Sequence, residues 1–276
     1  MLKKMVFLPL CFLMLMICSE SVKAENNDTW QSPISFDIQL MSWKQIDSII
    51  PRYSKFTLID VESGKLFHVQ RRAGSQHADV QPITPKDTKI MKDIYNGKWS
   101  WKRRAIIIMV EDNWYAASMH GMPHGAGALN NQFPGHFCVH FLGSTTHKSD
   151  KMDFSHMLMV YKAAGELEDH LNHLQPDEVV KAYIAGIKEQ DTSILEHITI
   201  RENWDQLFTS IENIKLREID PLEHQVSINT LQLDIKVELD VYEKNNPSHR
   251  EKKNFQLIRY SPLEPWKIAE VTTLSK

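Results

Sequence analysis

The sequence predicts a mainly β first half followed by an α+β second half, and three observations carry that expectation. Residues 56–120 alternate apolar and polar side chains over runs of strand length. Residues 176–187 switch to helical spacing, with Val179, Val180, Tyr183, Ile184 and Ile187 on one face. Residues 211–274 return to strand-like runs. At 276 residues the chain is long for one small domain. Its 42% hydrophobic and 24% charged residues suit a packed core and exclude a disordered or polytopic membrane chain.

At the N-terminus, Lys3 and Lys4 precede an apolar run from Met5 to Cys18, and the segment closes on Val22-Lys23-Ala24. The run is shorter than the roughly 20 residues a spanning helix needs. A basic start, a short apolar core and a small-residue end describe a secretory signal cut after Ala24. The expected organisation is a signal peptide over residues 1–24, a first domain over 25–174 and a second over 175–276. The product would be secreted or held in the cell envelope, meeting the membrane only during export. Cleavage removes Lys3, Lys4, Lys23 and Glu20, so the net charge of −3 becomes −5. That balance excludes a nucleic-acid partner, which needs a basic excess.

Residues 25–50 read as a mixed leader packed on the first domain. Residues 56–72 read as two strands joined by the turn Glu62-Ser63-Gly64-Lys65. Residues 87–97 suit a short helix with Asp87 as N-cap and Gly97 as stop. Residues 104–120 form another strand pair, broken at Glu111-Asp112-Asn113. A Gly-rich connection (121–135), a short apolar run (136–142) and a helix over about 153–171 complete the half. Pro176 opens the next helix, with Asp177 and Glu178 at its positive end. A short helix over 193–198 and strands at 211–220, 227–244, 253–261 and 266–274 follow.

Loss of the signal also removes Cys11 and Cys18, leaving Cys138 as the single thiol. Eight of the thirteen histidines fall between residues 120 and 173, and His120, His124, His136 and His140 surround that thiol. An imidazole that takes the proton of a neighbouring thiol produces a thiolate paired with imidazolium, a nucleophile for carbonyl carbon. Nearby backbone N–H groups would then hold the oxyanion.

His120 is followed by fourteen residues and then Gly135-His136-Phe137-Cys138-Val139-His140. This pattern resembles the catalytic motif of the L,D-transpeptidases of bacterial cell walls (YkuD-type domain), in which a base histidine precedes Ser/Thr-His-Gly-Cys, an apolar residue and Arg or Asn. The resemblance covers about residues 55–150 and implies a β-sandwich. It implies Cys138 as nucleophile, His120 as base held by the carbonyl of Gly121, and His136 shaping the oxyanion pocket. His140 takes the Arg or Asn position against the substrate. Gly135, Phe137 and His140 depart from the family pattern and mark a divergent relative. The implied substrate is peptidoglycan or a wall peptide, with no cofactor. Strings such as HADVQPIT and GHFCVHFLGS are similar to those of exported Gram-positive proteins. Residues 176–276, helices and then an antiparallel sheet, resemble the cone-shaped α+β domains called NTF2-like.

Other readings stay open. His124 is an alternative base or substrate contact. Trp99, Trp101 and Arg103, with Arg104, offer aromatic faces and positive charge suited to a wall glycan or anionic polymer. His120, His124, His136 and His140 with Cys138 could instead hold zinc, although strand spacing is too extended for chelation by residues four apart. His77 and Asp79 read as a loop near the site, and His147 as a solvated or capping residue. A non-catalytic envelope-binding protein with a degenerate site is the remaining class.

Overall fold

The computed structural model describes residues 37–146, 151–200, 204–221 and 226–274. The leader with its expected cleavage at Ala24, Cys11, Cys18 and His147 lie outside the described residues. Residues 36–276 form one compact unit. No helix among the described residues is long and apolar enough to cross a membrane.

The first half contains β1 (Ile38–Gln39), α1 (Trp43–Ile49), β2 (Lys55–Asp60), β3 (Leu66–Ala73), β4 (Ala78–Pro82), α2 (Pro85–Ile94), β5 (Arg103–Val110), β6 (Asn113–His120) and β7 (Phe137–His140). The sheet order is β1-β6-β5-β2-β3-β4-β7, and β7 also pairs with β6, so six strands close into a barrel. A mainly β fold is as expected, and its first sheet closes into a barrel. Closure depends on β4, in a segment expected to be a loop. Its five residues are all buried, so they show none of the alternation that marks a one-sided strand. The helix α1, expected only as part of a mixed leader, anchors to the barrel through buried Trp43 and Ile46.

The alternation that buries Phe56, Leu58 and Asp60 on β2 is absent from β7 for a similar reason, since all four residues of β7 are buried. Phe137 and Val139 point into the barrel core with Phe67, Val80 and Met119. Phe137 packs on Phe67 and Phe133 at centroid distances of 6.3 and 5.7 Å. The bulky residue before Cys138 is thus a core anchor. The alternate residues, Cys138 and His140 on β7 and Ser118 and His120 on β6, occupy the outer face. Helix α2 starts from Thr84, not Asp87; Asp87 is the third residue of a reciprocal capping pair with Thr84 and also accepts from the His68 amide at 2.9 Å.

The outer face is covered by α3 (Phe154–Ala164), which packs on β5 and β6. Asp153 caps it by accepting from the His156 amide. The expected helix over 153–171 is broken at Gly165, whose φ of 76° turns the chain out of the helix. It resumes as α4 (Leu167–Asn172). Next come α5 (Pro176–Glu189), α6 (Thr192–Ile198) and α7 (Asp205–Ser210). The four-stranded antiparallel sheet β11-β10-β9-β8 completes the fold, with β8 (Ile211–Ile219), β9 (Gln232–Glu243), β10 (His249–Ile258) and β11 (Lys267–Thr273). Leu158 and Met159 of α3, Val180 of α5 and Phe255 of β10 share one core that also takes Ala105 and Ala116 from the barrel. The packing therefore runs continuously across the boundary expected at residue 175. Between α5 and the sheet lies a cavity of about 300 Å³ lined by Tyr183, Ile187, Leu239 and Phe255, with Glu251 and Lys253 at its wall.

Candidate functional site

Three strands bring the polar cluster together. In register, β4 sets Asp79 opposite Cys138, and β6 sets Ser118 opposite His140. The connection from β6 to β7 folds back on itself, with a bridge in which His124 and His136 exchange both backbone hydrogen bonds at 2.9 Å. Gly135 permits that approach: its φ is 123°, and a Cβ there would stand 2.4 Å from the His124 carbonyl oxygen. Gln81, on the outer face of β4, holds the same connection by donating to the Gly135 carbonyl at 2.5 Å and accepting from the Ala128 amide at 3.0 Å.

Around Cys138 the distances are short. Its Sγ lies 3.3 Å from His124 Nε2 and 3.6 Å from Asp79 Oδ1. His124 Nδ1 faces the Met122 carbonyl oxygen at 3.1 Å. A carbonyl only accepts, so in the neutral ring Nδ1 carries the hydrogen and Nε2 presents its lone pair to the thiol. His120 has the reverse arrangement, because its Nδ1 accepts from the Met122 amide at 3.3 Å. Its neutral ring therefore carries the hydrogen on Nε2. The expected hold on His120 by the Gly121 carbonyl is replaced by this amide contact, while the Gly121 N–H donates to the Ser100 carbonyl.

Cys138 is 4% exposed. Burial, and then the adjacent Asp79 carboxylate, push its thiol up from the ordinary range. The resting group is a neutral thiol, which corrects the expected thiolate–imidazolium pair. Burial, and then His124, hold His120 well below the usual imidazole range; burial, and then His140, do the same for His156. Both rings are neutral at physiological pH.

Sequence reasoning missed His156 as a participant and gave His77 and Asp79 only a loop near the site. Asp79 Oδ1 stands 3.2 Å from His77 Nε2 and 3.7 Å from His136 Nε2, at the junction of the cluster. His77 Nδ1 faces the Thr145 carbonyl at 2.7 Å. His156 reaches down from α3 to Ser118 Oγ at 2.9 Å. The HADVQP string carried a signal for His77 and Asp79, a His-x-Asp pair, but without the strand assignment it had no partner.

His140 is buried between His77 and His156, stacked at centroid distances of 4.6 and 3.9 Å, against the covering helix. His136 Nδ1 lies 3.2 Å from the Ala126 carbonyl. Trp101 is 51% exposed and its ring lies 4.8 Å from His120 and 5.7 Å from His124, at the solvent side of the cluster. Trp99 packs edge-on against Phe133 with Lys92 over its face. Arg103 pairs with Asp153 at 2.7 Å and so ties β5 to the cap of α3. Arg104 is likewise committed, in a two-pronged pair with fully buried Asp60.

Two sets of donors among the described residues could hold a metal ion, and both include Cys138: His77 with His140, and His120 with His124. Within each set the donor atoms lie within 4.8 Å of one another. No protein-family model matches the chain, and comparison with characterised proteins likewise gives no match. The ground for a functional reading is therefore the barrel, its two-sided burial and the Cys138–His124 contact.

Proposed function

We propose that the chain is an exported, cysteine-dependent acyl transferase or amidohydrolase acting on cell-wall peptide, similar to the L,D-transpeptidases, with the barrel as its catalytic part and the α+β half as an NTF2-like module. The observation that carries this reading is the 3.3 Å contact between Cys138 Sγ and His124 Nε2, with the far nitrogen of that ring fixed on the Met122 carbonyl. This sets a base and its orienting group beside the nucleophile, whose thiol hydrogen rests toward Asp79 Oδ1 and turns to His124 Nε2 for the reaction. His124, the alternative base in the sequence, takes that role here in place of His120.

Because the resting thiol is protonated, proton transfer to His124 Nε2 accompanies attack of sulfur on the substrate carbonyl. The S–C bond forms, and the His124 imidazolium returns the proton to the leaving amine as the C–N bond breaks. Water or a second amine then releases the acyl group and restores the thiol. No cofactor enters these steps. His136, with the backbone of the Gly-rich connection, flanks the reacting carbonyl, and Trp101 offers its exposed face to the substrate.

Intact-mass measurement after mixing the protein with muropeptides tests the proposal. An acyl adduct on Cys138 that is absent from Cys138→Ala supports it. The 4% exposure of Cys138 favours one competing reading, a non-catalytic envelope-binding protein. Muropeptide binding without adduct or turnover would establish that reading and overturn the enzyme.

A further inference from the structure

We propose that Cys138, His124 and His120 form a binding site for a thiophilic divalent cation, zinc by preference, and that the bound ion masks the thiol. The masking rests on the reading of Cys138 as nucleophile; the binding does not. A tetrahedral zinc with Zn–S of about 2.3 Å and Zn–N of about 2.0 Å places its donors about 3.5 Å apart. Sγ and His124 Nε2 already stand at 3.3 Å, and all three donors lie within 4.8 Å; His120 joins the ion by giving up the 3.3 Å contact that its Nδ1 accepts from the Met122 amide, which frees a ring nitrogen lone pair.

The orientation of His124 also fits. A metal-bound imidazole characteristically donates its other N–H to a carbonyl or carboxylate, as His124 Nδ1 does toward Met122. The alternative set fits poorly. The His77 and His140 rings are stacked with only 11° between their planes, so one ion cannot lie in both ring planes, and both nitrogens of His77 are engaged, with the Thr145 carbonyl at 2.7 Å and Asp79 at 3.2 Å. The His120 and His124 planes are tilted by 40° with centroids 5.3 Å apart. His120 is buried like His77 and His140, but His124 is half-buried, and both it and His120 lie beside exposed Trp101. On binding, the thiol proton is released to solvent as the metal–sulfur bond forms, and the ion draws charge from sulfur and blocks its approach to a carbonyl, which lowers its nucleophilicity.

The test uses the full chain carrying Cys11→Ser and Cys18→Ser, so that Cys138 is the single thiol, titrated under reducing conditions with cobalt(II) alone and then with zinc(II). The expected result is one cobalt per chain, a sulfur-to-cobalt charge-transfer band, and displacement of cobalt by zinc. Cys138→Ser removes the band, His124→Ala weakens binding by at least about tenfold, and His77→Ala leaves it within about twofold. Bound zinc slows alkylation of Cys138 by at least about tenfold. A missing band, a band that survives Cys138→Ser, or a loss of binding in His77→Ala greater than in His124→Ala would overturn the assignment. These readouts need no turnover: cobalt binding in a protein that never forms an acyl adduct keeps the metal site and refutes only the enzyme reading, while an adduct in a protein that binds no cobalt does the reverse.

Discussion

The barrel and the α+β half both rest on largely antiparallel sheets, yet they use the second face of those sheets differently. In the barrel the inner face is apolar, and the outer face on β4, β6 and β7 is also buried, holding histidines, a carboxylate and the thiol, with α3 over β6 and His124 of the Gly-rich connection against the sulfur. In the α+β half, β9 buries Ile235, Val237, Leu239 and Val241 on one face and leaves the intervening residues more exposed. A buried polar group costs free energy unless it finds partners, so a face that keeps His77, Asp79, His120 and His140 under cover is shaped by what they do together. The α+β sheet needs no such account, because its burial is ordinary hydrophobic packing around a cavity.

Substitutions separate the two regions, and the largest effect belongs to the barrel. Cys138→Ala is expected to abolish turnover of wall peptide by at least about ten-thousandfold while leaving the circular dichroism spectrum unchanged. Phe255→Ala, in the core of the α+β half, should instead cost about 3–5 kcal/mol of unfolding free energy, read from denaturant titration, with the rate per folded molecule preserved. Equal losses of rate in the two variants would erase the contrast. His124→Ala is expected to lower the rate by about a hundredfold and His120→Ala by less than about tenfold, a ranking that steady-state kinetics checks directly. Gly135→Ala forces a Cβ onto the His124 carbonyl and should destabilise by about 1–3 kcal/mol while loosening the Cys138–His124 contact.

The smallest effect is electrostatic. His120 and His156 are held below the ordinary imidazole range in the folded protein. As pH falls below about 6.5, the unfolded chain takes up protons that the folded one refuses, so stability is full above that pH and declines beneath it. Each group contributes up to about 1.4 kcal/mol per pH unit. His156→Asn should flatten the decline by about one proton in urea melts at pH 5 and 7. An unchanged slope would mean that His156 titrates normally and that α3 does not seal the cluster.

Much of the fold was legible because it rests on local rules. The strand pairs at 55–73 and 103–120, the helix opened by Pro176 and the closing sheet all show the period of their own element. The elements that escaped are those whose period is hidden. β4 is buried on both faces and α1 is only seven residues long, whereas β7, equally buried, is legible as a short apolar strand. The candidate site was legible in part for the same reason. Cys138 and His124 stand close in sequence, whereas Asp79 reaches the thiol only through strand register and His156 only through the docking of a helix.

The sequence by itself determined the solitary thiol of the region after Ala24, the histidine spacing around it and the change from strand to helical periodicity, since each is a property of composition or of neighbours along the chain. Tertiary structure decided which histidine faces the sulfur, that Arg103 pairs with the residue capping a helix, and that the thiol rests protonated. Those outcomes depend on strand register, burial and the carboxylate of Asp79, which act between residues far apart in the chain and become defined only when the barrel closes.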